Sequence, residues 1–192
     1  KMNFKCFNIF LILMFLYNCA GGSYKKMSIE NPEKLISIKD SLINIRKNDQ
    51  KIIEALVYAH NSIAEKHMKT ENNLLAVDHY RMANELNSSD IVSNYGLLIS
   101  EGKLLIQKGN KNGIWDAIEK FSQASTLYPS NGEPFYWIAI SYTKLGDTDF
   151  DLMLESYEKA LSLELDEKQR ADIEKKYKKE KERKLFLDSF WK

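Results

Sequence analysis

The sequence predicts an all-α fold, and three observations carry that expectation. Only 8 Gly and 3 Pro punctuate 192 residues, too few for a sandwich or barrel that turns roughly every ten residues. Apolar residues recur at spacings of three and four, which line one face of a helix but scatter over both faces of a strand. One short pattern returns three times at offsets of 41 and 36 residues, and repetition on that scale marks stacked units. Hydrophobic residues make up 44% and charged residues 29% of the chain, enough to build a core and too apolar for wholesale disorder. The 28 Lys and Arg nearly cancel the 27 Asp and Glu, leaving a net charge of +1. That balance excludes a general nucleic-acid binder, which needs surplus cations to displace counterions. Two Cys exclude a disulfide scaffold.

The N-terminal stretch reads as an address. Lys1 and Lys5 precede an apolar run from Phe7 to Tyr17, broken only by Asn8. As a helix it would be about 16 Å long, short of a hydrocarbon core of about 30 Å, and it suits the apolar segment of an export signal. The run closes on Leu16-Tyr17-Asn18-Cys19-Ala20. This resembles the bacterial lipoprotein lipobox, in which a Leu lies three residues before a Cys that becomes the lipidated N-terminus. Leu16 and Cys19 match, while Tyr17 and Asn18 stand where the pattern favours small residues. The resemblance implies a signal peptide over residues 1–18, lipidation of Cys19, and anchoring to a membrane, the outer one where a cell has two, with the body facing the periplasm. A signal peptide cut at Ala20 or Gly21, or a short uncleaved anchor, are the alternatives. Residues 19–31 then serve as the lipidated Cys and a flexible tether.

A capping helix is expected over residues 32–50. Asn31-Pro32-Glu33 has a capping side chain, a Pro at the first helical position and an acid at the positive end of the helix dipole. Leu35, Ile38, Leu42 and Ile45 follow at spacings of 3, 4 and 3.

Residues 51–165 hold the repeated pattern: a small or apolar residue, an aromatic four positions on, and Ala three beyond that. The copies are Ala76, Tyr80, Ala83; Ala117, Phe121, Ala124; and Met153, Tyr157, Ala160. Each follows a second helical stripe: His60, Ile63, Ala64, His67; Leu98, Glu101, Gly102, Leu105; and Phe135, Ile138, Ala139, Tyr142. Ala admits a neighbouring helix and the aromatic ring fills the space beside it. Gly109-Asn110 and Gly146-Asp147 mark two helix ends, since Gly tolerates the positive φ of a helix C-cap. These paired stripes resemble the tetratricopeptide repeat over roughly residues 55–165, although Glu101 replaces the usual Leu of the second copy. The resemblance implies a right-handed α-solenoid of about three helix hairpins with N- and C-terminal capping helices.

Residues 166–192 are expected to form a charged C-terminal helix. Ile173 and Tyr177 give it a brief apolar stripe that caps the third repeat. The terminal residues Phe186, Leu187, Phe190 and Trp191 pair at i,i+4 and are expected to fold back on the stack.

No catalytic constellation emerges, and no enzyme activity, cofactor or metal site is expected. His60 and His67 share a helical face about 10 Å apart along the axis, too far for one zinc ion, and read as packing residues. In the repeat family the concave face is lined by the first helix of each hairpin. Carried over, that face comprises Asn61, Glu65, Met68 and Lys69, then Ile99, Lys103, Ile106 and Gln107, then Tyr136, Ile140, Thr143 and Lys144. Its mixture of apolar and polar groups suits a protein or peptide partner. The resulting expectation is a non-catalytic scaffold or adaptor in the bacterial cell envelope, serving assembly of an outer-membrane, pilus or transport complex. A small-molecule-binding component of an envelope transport system is the alternative.

Overall fold

The computed structural model describes residues 22–46, 49–146 and 149–190, without the side chain of Phe190. The signal segment 1–18, the lipidation site Cys19 and Trp191 lie outside the described residues. Among those described, the protein is all-helical with no strand. It divides into two compact units, residues 1–93 and 94–192.

The first unit begins with α1, residues 22–30. This stretch was expected to be a flexible tether and is helical instead. Its Tyr24 and Met27 sit three apart on a helical face and pack on a core of Leu35, Leu42, Ile52, Leu56 and Ala59, so the segment has an apolar surface to cover. The helix expected over 32–50 is two helices, α2 (Pro32–Ser37) and α3 (Lys39–Ile45), hinged at Ile38 with φ −104° and ψ 7°. Asn31 caps α2 by accepting from the Lys34 amide at 3.1 Å. Leu35 and Leu42 are buried, whereas Ile45, the last residue of α3, is 78% exposed.

Asp49 starts α4 (Gln50–Lys69), accepting from the Lys51 amide at 3.1 Å. Asn72 starts α5 (Asn73–Leu86). The two helices form a hairpin and share the closest packing in the unit. Ala59, Ala64, Ala76 and Ala83 have no exposed surface, and such small side chains let neighbouring helices approach closely. The turn between them places Glu71 at φ +59°, a region that costs a residue with a Cβ about 1–2 kcal/mol.

The second unit opens within α6 (Ile91–Lys108) and continues through α7 (Lys111–Leu127), α8 (Glu133–Leu145), α9 (Phe150–Leu161) and α10 (Glu167–Phe190). Gly109 and Gly146 have φ of +71° and +93°, the left-handed geometry their position after a helix suggested. Gly102 lies against the Phe121 ring, and a Cβ there would come within 2.5 Å of Phe121 Cε1. Glu101, which departs from the repeat pattern, pairs with Lys120 of α7 at 2.9 Å. Phe121 stacks on Trp137 at 6.2 Å. The connections before α8 and after α9 are stitched together: the Gly132 amide donates to the Glu164 carbonyl at 2.7 Å and the Glu164 amide to Ser130 at 2.9 Å.

α10 lies along α8 and α9. Ile173 is fully buried, and Arg170 donates to the Leu161 and Leu163 carbonyls at 3.1 and 2.9 Å, capping α9. The charged half beyond is pinned as well. Glu180 is buried and pairs with Arg183 at 3.1 Å, Arg183 covers the Phe150 ring, and Lys184 pairs with Asp151. Leu185 and Phe186, however, are 65% and 67% exposed, so fold-back of the terminal apolar residues does not extend to them. Their helix runs unbroken from Glu167 to Phe190.

Candidate functional site

Two features of the first unit bring chemistry-bearing side chains together. The first is a cavity of about 350 Å³ along one face of α4. Glu54, Tyr58, Asn61 and Glu65 stand at spacings of 4, 3 and 4, so a single helical face presents them, with Val57 and Ser62 beside them. Asn87, Asp90 and Val92, around the start of α6, close the opposite wall. Asp90 is held in place by the Ser93 amide, which donates to its Oδ2 at 2.8 Å, in the manner of a helix cap. The same oxygen accepts from Asn61 Nδ2 at 3.0 Å. Asn61 is nine-tenths buried, and its Oδ1 has no hydrogen-bond partner among the described residues. Tyr58 is half exposed.

The second feature is a histidine stack between α4 and α5. His79 of α5 lies between His60 and His67, with ring centroids 5.3 and 5.8 Å away. All three histidines of the chain therefore form one cluster. His60 Nδ1 and His79 Nδ1 are 3.1 Å apart, so one nitrogen must donate while the other accepts. His60 has no exposed surface, and its Nε2 is unpartnered among the described residues. Burial, then the charges of His79 and Lys39, holds the His60 pKa down to about 4. His79 is also lowered, chiefly by burial and then by His67, against the opposing pull of Asp78 and Glu33. Burial thus biases His60 and His79 toward the neutral form. Reading His60 and His67 as packing residues agrees with the burial of His60 and the half-burial of His67, but spacing along one helix misses His79, which reaches them from the other helix. No group of three or more His, Cys, Asp or Glu among the described residues is arranged to hold a metal ion.

Of the residues expected to line a groove in the first repeat, Asn61 and Glu65 border the cavity, while Met68 and Lys69 do not. Glu54, Tyr58 and Asp90 were not anticipated. The first two lie on the same α4 face as Asn61, and the successive spacings of 4 and 3 from Glu54 through Tyr58 to Asn61 are the signal in the chain that could have revealed them.

The second unit treats its share of the expected face differently. Ile99 and Ile106 are 2% and 7% exposed and are core. Lys103 covers the Trp137 ring at 4.8 Å, and Gln107 is exposed. Tyr136 donates to Asp172 of α10 at 2.8 Å. Burial and that acid raise the Tyr136 pKa. Burial works against ionised Asp172, yet its hydrogen bonds from Lys176 and Tyr136 leave its pKa lowered. Thr143 faces α9, 3.1 Å from Tyr157 Oη. Ile140 is half-buried and Lys144 exposed. α10 thus covers the part of this surface that Tyr136 belongs to.

No protein-family model matches the chain, and no curated protein matches it. No described helix is long and apolar enough to cross a membrane.

Proposed function

We propose that the chain is a membrane-anchored, non-catalytic scaffold of tetratricopeptide type that holds a protein or peptide partner in the bacterial cell envelope. The observation that carries this reading is the burial of the repeated residues. Ala76, Tyr80, Ala83, Ala117, Phe121, Ala124, Met153, Tyr157 and Ala160 are each at most 5% exposed. The second helix of each pair is committed to packing. The outward face of α4 is not, and it keeps Glu54, Tyr58 and Glu65 exposed beside a cavity. The lipobox-like Leu16 and Cys19 support the anchor.

Two measurements test the reading together. Cys19→Ala should abolish incorporation of labelled palmitate. Photo-crosslinking probes at Tyr58 and Glu65 in envelope membranes should give discrete adducts that a probe at Glu174 does not. Equal labelling of wild type and Cys19→Ala, with no adduct from α4, would defeat it.

A further inference from the structure

We infer that the α4 cavity of the first unit is a receptor for a single cationic side chain, a Lys or Arg carried by an extended segment of the partner protein. The inference rests on the scaffold reading above and names the chemistry its site would select. Three observations point to it. The walls carry three carboxyl groups, Glu54, Glu65 and Asp90, and no Lys or Arg lines the cavity. Asn61, nine-tenths buried in the same wall, holds an acceptor oxygen without a donor. A buried unmet acceptor costs about 1–3 kcal/mol, and a guanidinium or ammonium brings several N–H donors to such a place. The Tyr58 ring, 52% exposed, borders the cavity, and an aromatic face attracts a cation.

The alternatives fit less well. An anion would face three carboxylates. An apolar side chain would leave Asn61 Oδ1 without a donor and bring no charge to Glu54 and Glu65. A cavity of about 350 Å³ accepts one long side chain rather than a folded element, so the main chain of the partner would run outside it. Charge complementarity of this kind acts on both association rate and selectivity, and it weakens with salt.

The test uses the full chain and a fluorescein-labelled hexalysine peptide, with hexaglutamate as the control, read by fluorescence anisotropy. Saturable binding of hexalysine and none of hexaglutamate is expected. The double variant Glu54→Gln/Glu65→Gln should weaken it about tenfold or more, Tyr58→Ala severalfold, and Ser62→Lys, which supplies the cation from within, should abolish it. Glu54, Tyr58 and Glu65 are exposed, so these variants keep the fold, and circular dichroism checks this. Zero-length carbodiimide coupling of the peptide should map to Glu54 or Glu65. Absence of saturable binding, or equal weakening by Glu167→Gln/Glu174→Gln in the second unit, overturns the inference. Adducts from Tyr58 in membranes without hexalysine binding would overturn the cationic assignment and leave the scaffold standing. Hexalysine binding without adducts would do the reverse.

Discussion

The hairpin of the first unit and the hairpin of the second solve one packing problem with different materials. α4 and α5 meet over alanines and a stack of three imidazoles, and their turn forces Glu71 to φ +59°. α8 and α9 meet over Ala139, Ala160 and Tyr157, and their turn uses Gly146 at φ +93°. The outer face of α8 then receives α10 through Tyr136 and Asp172, while the corresponding face of α4 borders a cavity. The lesson is that buried Ala-aromatic-Ala stripes set the hairpin, and the flanking elements decide whether its other face is open to a ligand.

The comparison can be broken most severely from the aromatic side. Phe121 has no exposed surface, and Phe121→Ala should lower stability by about 3–5 kcal/mol. The three Trp all lie beyond residue 93, so tryptophan fluorescence during denaturation reads this loss in the second unit.

The imidazole side should break with acid instead. The folded pKa of His60 is about 4 and its unfolded value about 6.5. Between those values the unfolded chain binds the proton that the folded one refuses. The contribution of this group is therefore complete above pH 6.5, falls as pH drops toward 4, and amounts to about 3 kcal/mol over that window. His60→Gln should flatten the dependence of stability on pH. Helix loss in the first unit, followed by circular dichroism, should precede any change in tryptophan emission.

Gly102→Ala sharpens the contrast at smaller scale. Its new Cβ meets Phe121 at 2.5 Å, and such overpacking should cost about 1–3 kcal/mol, seen as a lower thermal midpoint. The turns test the backbone rather than the packing. Glu71→Gly relieves a left-handed residue and should add about 0.5 kcal/mol net of its chain entropy. Gly146→Ala, in a backbone region reserved for Gly, should lose about 1–3 kcal/mol.

Much of the fold was legible because it is written in short spacings. A stripe at offsets of four and three places residues on one helical face whatever that face meets, so the nine repeat positions could be marked for burial from the chain alone. Gly109 and Gly146 announced their φ for the same local reason. The candidate site was less legible. Asn61 and Glu65 followed from the repeat analogy, but Ile99 and Ile106 proved to be core, and Tyr136 had been claimed by a residue 36 positions away.

By itself the sequence determined the helical class, the inward stripes and two of the turns, since each follows from residues within a turn or two of one another. Only the tertiary structure decided that His79 stands between His60 and His67, that Glu54 and Asp90 border one cavity, and that α10 covers Tyr136 and leaves the tail at Leu185 and Phe186 in solvent. Those relations depend on how one helix is rotated and tilted against another, and a period along a single chain carries no measure of that angle.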